Sequence, residues 1–299
     1  MMLLLMSGVR LWSGRSSEAI TSAADALTLF EGINDRFGMA QATATVGRAM
    51  VTAGRIPEGL RVLQEAIDHH PVFDDAEEPD QLRLLLGVGL AGSAVQIGDA
   101  HLAQDVVNSA PTDGLEPKTI GHGDGLVADA LGLLQRGRVE AAVERVLPVV
   151  ELEGHGDPSP YAQSVLALAM AAAGKQAEVD ELADQVIHAL RATYLDKMNA
   201  RLASLLSRAR LADRSVVDDF AVLATDLDQV DDPVAQSIVA LAAAEAYSVN
   251  GWPEAIDARR HAELRLDGLG IRAQGWRTLF AVALAGAPAA DAPRSTIAD

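Results

Sequence analysis

The sequence predicts an all-α chain of about seven antiparallel helix hairpins with a C-terminal capping helix. Three observations carry this. Hydrophobic residues make up 49% of the 299 residues but aromatics only 4%, so the apolar mass is mostly Ala, Leu and Val. That composition suits closely packed helices better than a sandwich or barrel, whose strands favour β-branched and aromatic side chains. A turn between two apolar helical stretches recurs at 14, 54, 98, 137, 174, 213 and 251, a period of about 39 residues. Finally, no stretch alternates as a strand would.

The units read alike along the chain. Gly14-Arg15, Gly54-Arg55, Gly98-Asp99, Gly137-Arg138, Gly174-Lys175 and Gly251-Trp252 mark six hinges, and Asp213-Arg214 stands, without glycine, where another is needed. An apolar helix A runs into each hinge, where glycine at positive φ ends it. Helix B follows within a few residues. Glu18, Glu58, Glu140, Glu178 and Glu254 lie near the starts of these B helices, where an acid complements the helix dipole. Apolar residues then keep helical spacing, as in Leu60, Leu63 and Ile67, or Val139, Val143, Val146 and Val150. The longer connections at 69–79, 111–125 and 153–160 gather Pro, Gly and acids. Residues 271–285 read as a terminal helix carrying Trp276 and Phe280, and 286–299, rich in Ala, Pro and Asp, as a disordered tail.

Small residues hold fixed offsets from the hinges. Gly47, Ala91, Ala130, Ala167 and Ala244 lie seven before one, and Ala19, Gly59, Ala103 and Ala142 five after. Small side chains there let helices A and B approach closely.

This pattern resembles tetratricopeptide (TPR) repeats, whose motif has a small residue midway along helix A, a Gly at the turn and two Ala on helix B. Gly47, Gly54, Gly59 and Ala66 occupy those places in the second unit, and Ser7, Gly14, Ala19 and Ala26 in the first. The linker Glu31-Gly-Ile-Asn-Asp-Arg-Phe-Gly-Met-Ala-Gln-Ala42 resembles the extended variety of about 40 residues, and Leu266-Asp-Gly-Leu-Gly-Ile-Arg272 looks like a worn second copy. Such units are similar to those at the C-terminal ends of bacterial signal-transduction ATPases, LuxR/MalT-like transcription regulators and some nucleotide cyclases. The resemblance covers about 1–285 and is most specific in the first two units. In the sixth, Leu206 stands where a small residue is expected, which would splay that hairpin. The resemblance implies a right-handed superhelix (solenoid) whose concave face, lined by the A helices, binds partners. Counted from the hinges, groove candidates are Gln41, Arg48, Thr52, Gln96, Gln135, Tyr161, Arg210 and Glu245. The Lys/Asn/Arg set with which chaperone-binding TPRs clamp a carboxylate is absent. A lining this apolar suits an amphipathic helix or an extended hydrophobic peptide; alternatively the superhelix closes on itself, or on another domain, and the lining is core.

Charge narrows the partners. Lys and Arg number 24 against 42 Asp and Glu, a net charge of −18, which opposes nucleic acid as a ligand. With no Cys there are no disulfides, thiolate metal sites or Cys nucleophiles, in keeping with a reducing compartment. The apolar start at 1–12 is short for a membrane span and lacks the basic start and cleavage site of a signal peptide, so the expected location is cytoplasmic, away from membranes.

Motifs that suggest chemistry each have a plainer explanation. Gly87-Val-Gly-Leu-Ala-Gly92 matches a dinucleotide fingerprint but falls inside a predicted helix A with no βαβ unit around it. His69-His70 with Asp74, Asp75, Glu77, Glu78 and Asp80 fits no metal-ligand spacing and reads as a solvated acidic loop. Gly121-His-Gly-Asp124 and Gly154-His-Gly-Asp157 are twin turns before A helices, with Asp157-Pro158 a helix start; His122 and His155 sharing a metal is the alternative. Lys197, Arg201, Arg208, Arg210 and Arg214 form a basic stripe, either a docking face for acids or a solvated face with local ion pairs. Asp218-Asp219 and Asp231-Asp232 are adjacent, point apart on a helix and make no dyad. No enzyme, metal or cofactor is therefore expected.

The first unit has no polar cap ahead of it, although a solenoid end without one exposes core. Residues 1–12 would present Leu3, Leu4, Leu5, Leu11 and Trp12, of which Leu4, Leu11 and Trp12 are expected to form a docking edge, for a partner protein, a second copy or sequence upstream. The reading is a non-enzymatic scaffold that binds a protein or peptide through concave face and N-terminal edge. The alternative is the regulatory or sensor array of a larger signalling protein.

Overall fold

The computed structural model describes residues 1–69, 79–109, 122–151 and 159–285. Among them every regular element is an α-helix and there is no strand. In chain order these are α1 (Met2–Trp12), α2 (Ser16–Ile33), α3 (Arg36–Thr52), α4 (Ile56–His69), α5 (Pro79–Ile97), α6 (Ala100–Ser109), α7 (His122–Leu134) and α8 (Val139–Val150). They continue as α9 (Pro160–Ala172), α10 (Gln176–His188), α11 (Tyr194–Arg210), α12 (Val216–Leu227), α13 (Pro233–Val249), α14 (Ala255–Leu269) and α15 (Gln274–Ala283).

The helix ends explain the periodic glycines. Gly14, Gly54, Gly98, Gly137, Gly174 and Gly251 all have φ between 63° and 82°, left-handed values that side chains resist. At each, two backbone bonds tie off the preceding helix. At the second hinge Gly54 N donates to Val51 O at 3.0 Å and Arg55 N to Met50 O at 2.8 Å, the paired bonds of a Schellman end. At the hinge without glycine the same pair forms from Ala212, one residue before Asp213, and Ala212 itself takes φ 59°. The starts of α3, α9, α11 and α13 are fixed by side chains. Asp35 Oδ1 accepts from Gly38 N, and Thr193 and Asp196 form a reciprocal capping box at α11. Helix α9 starts at Pro160 with Ser159 as its cap, while Asp157-Pro158 lies outside the described residues.

The small positions are the crossing points. A Cβ on Gly47 would meet Leu63 Cγ at 2.5 Å, and one on Gly59 would meet Gly47 O at 2.6 Å, so α3 and α4 touch backbone to backbone there. Ser7, Ala91, Ala130, Ala167 and Ala244, and on the following helices Ala19, Ala103 and Ala142, are all buried. Leu206 is fully buried as well.

Each helix packs on the next in the chain, from α1 on α2 to α13 on α14, and the odd-numbered helices α1 to α13 also pack each on the next odd one. The C-terminal helices then return to the front of the chain. Helix α13 touches α3 and α5. Helix α15 corrects the expectation of a simple terminal cap: besides α13 it packs on α7, α9 and α11. The cause is its apolar face, since Trp276, Leu279, Phe280 and Ala283 are buried in the main core cluster together with residues from Val51 onward. No helix among the described residues is long and apolar enough to cross a membrane.

Candidate interaction surfaces

The return of α13 and α15 settles a row of polar contacts onto the ends of the early odd helices. Trp276 Nε1 donates to Gln96 O at 2.9 Å and Gly275 N donates to Gly98 O at 2.9 Å. A Cβ on Gly275 would stand 2.7 Å from that oxygen, so only glycine allows the approach. Gln135 Nε2 donates to Val95 O at 2.6 Å.

Beside them, Asp231 and Asp232 join three parts of the chain. Asp231 N donates to Gly14 O at 2.7 Å, and its carboxylate accepts from Ser17 N at 2.8 Å and from Ser17 Oγ. Asp232 caps α13 by accepting from Ala235 N at 2.8 Å, while its other oxygen accepts from Tyr194 OH at 2.6 Å and from Gln96 Nε2 at 3.3 Å. Asp232 is 0% exposed. Burial pushes its carboxyl up to about 6, against the pull of the Tyr194, Ala235 and Val234 hydrogen bonds. The Tyr194 phenol is held well above its ordinary range by burial first and the neighbouring Asp232 second.

Most of the expected groove residues sit within this packing. Thr52 and Gln135 are each 2% exposed, and the side chains of Thr52 and Gln96 approach at 3.5 Å. Glu245 accepts from Arg277 of α15 at 3.3 Å. Tyr161 is half-buried by exposure, yet burial of its hydroxyl, then Asp124, raises its pKa. The Arg210 guanidinium lies against Gly174, where a Cβ would collide with it. The apolar lining between them, including Val51, Val95, Val127, Leu131, Leu134 and Leu168, is buried. Gln41 is half-buried and Arg48 exposed. The charge of Arg48 acts on Tyr161, Tyr194 and Asp196, and among the described residues no hydrogen bond or ion pair engages it.

Helix α1 divides the expected docking edge. Leu4 packs with Ala26, Phe30 and Ala42, and Leu11 with Ala19 and Ala49, so both face inward. Trp12 faces out and is 56% exposed. Its indole lies back along the helix, 3.9 Å from where a Cβ on Gly8 would be. The outward stripe is completed by Met2, Leu5, Met6 and Val9, all exposed. Sequence reasoning named Leu5 but missed Met2, Met6 and Val9, because α1 is apolar almost all round. The available signal was Ser7, the small residue seven before Gly14: residues three before and four after it, Leu4 and Leu11, share its inward face.

The remaining features resolve into local structure. Arg201 pairs with Asp226 at 2.5 Å, Arg208 with Asp213 and Asp219, and Arg214 with Glu254 while also lying 5.2 Å above Trp252. Gly87 to Gly92 lie within α5, with no strand before them among the described residues. Two shallow clefts lie between successive even-numbered helices: about 260 Å³ beside Phe220, Ala240 and Tyr247, and about 330 Å³ beside Asp184, Arg201 and Arg208. Among the described residues no three His, Asp or Glu side chains gather as metal ligands. The acidic stretch at 70–78, the tail at 286–299, His155 and the side chains of His69 and His122 lie outside the described residues. No protein-family model matches the chain, and no curated protein matches it in sequence.

Proposed function

We propose that the chain is a non-enzymatic, TPR-like scaffold, a right-handed superhelix of about seven hairpins that returns on itself and binds a protein partner through the outer face of α1. The repeated Schellman hinges and the packing of each odd helix on the next odd one support the superhelix. One observation carries the binding: Met2, Leu5, Met6, Val9 and Trp12 are solvent-exposed on a helix whose other face is core. A single exposed apolar residue is ordinary, but a contiguous stripe of five marks an interaction site. Where the inner lining is occupied by α13 and α15, a groove peptide has no room. Gln41 and Arg48 remain as its accessible polar groups and form the secondary contact in this proposal.

The test is native affinity purification of the tagged full chain, with mass spectrometry of what co-elutes. A stoichiometric partner lost on Leu5→Glu with Trp12→Glu, at unchanged melting temperature, supports the reading. A partner retained by that variant, or a wild-type chain that recovers neither a partner nor a second copy of itself, rejects it.

A further inference from the structure

We infer that the partner on α1 is α1 of a second copy, joined antiparallel across a two-fold axis; this rests on the α1-face reading above and names its occupant. The stripe has the spacing of a coiled-coil seam: Met2, Leu5, Val9 and Trp12 follow one another at intervals of three, four and three, as a and d positions do. The same spacing is symmetric about Ser7. An antiparallel copy therefore sets Met2 against Trp12 of the other chain and Leu5 against Val9, so each of these four side chains meets an apolar one, with Met6 at the margin facing Gly8. A two-fold interface demands that self-complementarity, because the same patch must serve on both sides.

Charge opposes a second copy elsewhere but not at the seam. The chain carries −18, and two copies repel across most of their surface. Helix α1 has no Asp or Glu, and its one charged side chain, Arg10, turns away from the stripe to Ser22 and Glu18 of its own hairpin. The seam thus brings no carboxylates together. Helix α1 is already held on α2 and α3, so association orders only side chains. Its 11 residues span only about 16 Å, which makes a contact below standard interface size and a dimer that dissociates on dilution.

Sedimentation or light scattering of the full chain over roughly 1–500 µM reads this directly. The expected mass rises with concentration from 31.4 kDa to twice that value, and rises further with added salt as repulsion is screened. Leu5→Glu with Val9→Glu should hold the mass at 31.4 kDa while leaving the melting temperature in place, since both side chains point outward. Orientation has its own readout, because the chain has no Cys. Oxidation should link Met2→Cys chains to Trp12→Cys chains but neither to itself, like positions being about 15 Å apart along an antiparallel seam. A monomer at every concentration, a dimer indifferent to the two Glu substitutions, or Met2→Cys chains linking to themselves would each overturn the proposal. A monomer that still captures a foreign partner through Leu5 and Trp12 leaves the scaffold reading standing; a monomer that captures nothing removes both.

Discussion

The inner face of the odd helices and the outer face of α1 are written in the same apolar alphabet, yet only one is covered. Along the inner face Val95, Leu131 and Leu168 disappear beneath neighbouring helices, and Gln96 and Gln135 spend their amides on contacts inside the chain. On the outer face of α1 no later helix among the described residues arrives, and Leu5 stays 63% exposed beside a Leu4 that is 9% exposed. Hydrophobicity therefore does not distinguish core from docking surface here. The difference is whether the chain's own C-terminal segment reaches the face.

The sharpest way to break the covered face is Phe280→Ala. Phe280 is fully buried and packs on Trp276 with centroids 5.6 Å apart, so its loss should cost about 3–5 kcal/mol in urea unfolding. Gly54→Val comes next, at about 2–3 kcal/mol. The hinge has φ 82°, and a Cβ there would stand 3.0 Å from Leu269 and Pro233, so strain and the return of α13 both suffer. Near-normal melting of this variant would show that the hinge tolerates a β-branched residue. On α1 two neighbours divide the outcome: Leu4→Ala should cost about 2 kcal/mol and Leu5→Ala less than about 0.5 kcal/mol. Equal losses would mean that α1 is rotated from the orientation described.

An effect smaller than the core losses is in pH. Asp232, raised to about 6, holds a proton in the folded chain that the unfolded carboxyl releases. Its contribution is therefore greatest below the unfolded value and is lost as pH rises through about 6. Asp213, lowered to about 2 chiefly by Ser215 and Arg208, works the other way and is lost on acidification. Comparing the wild-type chain with Asp232→Asn isolates the first term. Between about pH 7 and 5 the wild-type chain should gain roughly 1 kcal/mol relative to the variant; parallel pH profiles would contradict a raised value.

The helical class was legible because it rests on local chemistry: small aliphatic residues, periodic glycines and acids at helix starts. The crossing at Gly47 and Gly59 was legible for the same reason. The left-handed Ala212 was not, since alanine carries no signal for positive φ. Nor were the bonds from Trp276 to Gln96 or from Asp232 to Tyr194. The first joins residues 180 apart, and nothing in a local window encodes such a pairing. The stripe on α1 fell between these cases. Its residues were visible as apolar, but their direction needed Ser7 as a reference point.

The tie from Asp231 to Gly14 and Ser17 spans 214 residues and has a consequence for how the molecule comes apart. A row of units that touch only their neighbours frays from its ends, one unit at a time. Here the first hinge is fastened to the stretch between α12 and α13, so the first two helices cannot open without releasing a distant part of the chain. Amide hydrogens of α2 should exchange together with those at the start of α13, as one cooperative unit. Such a fastening also forms late, because the chain must close a very long loop before the contact is made.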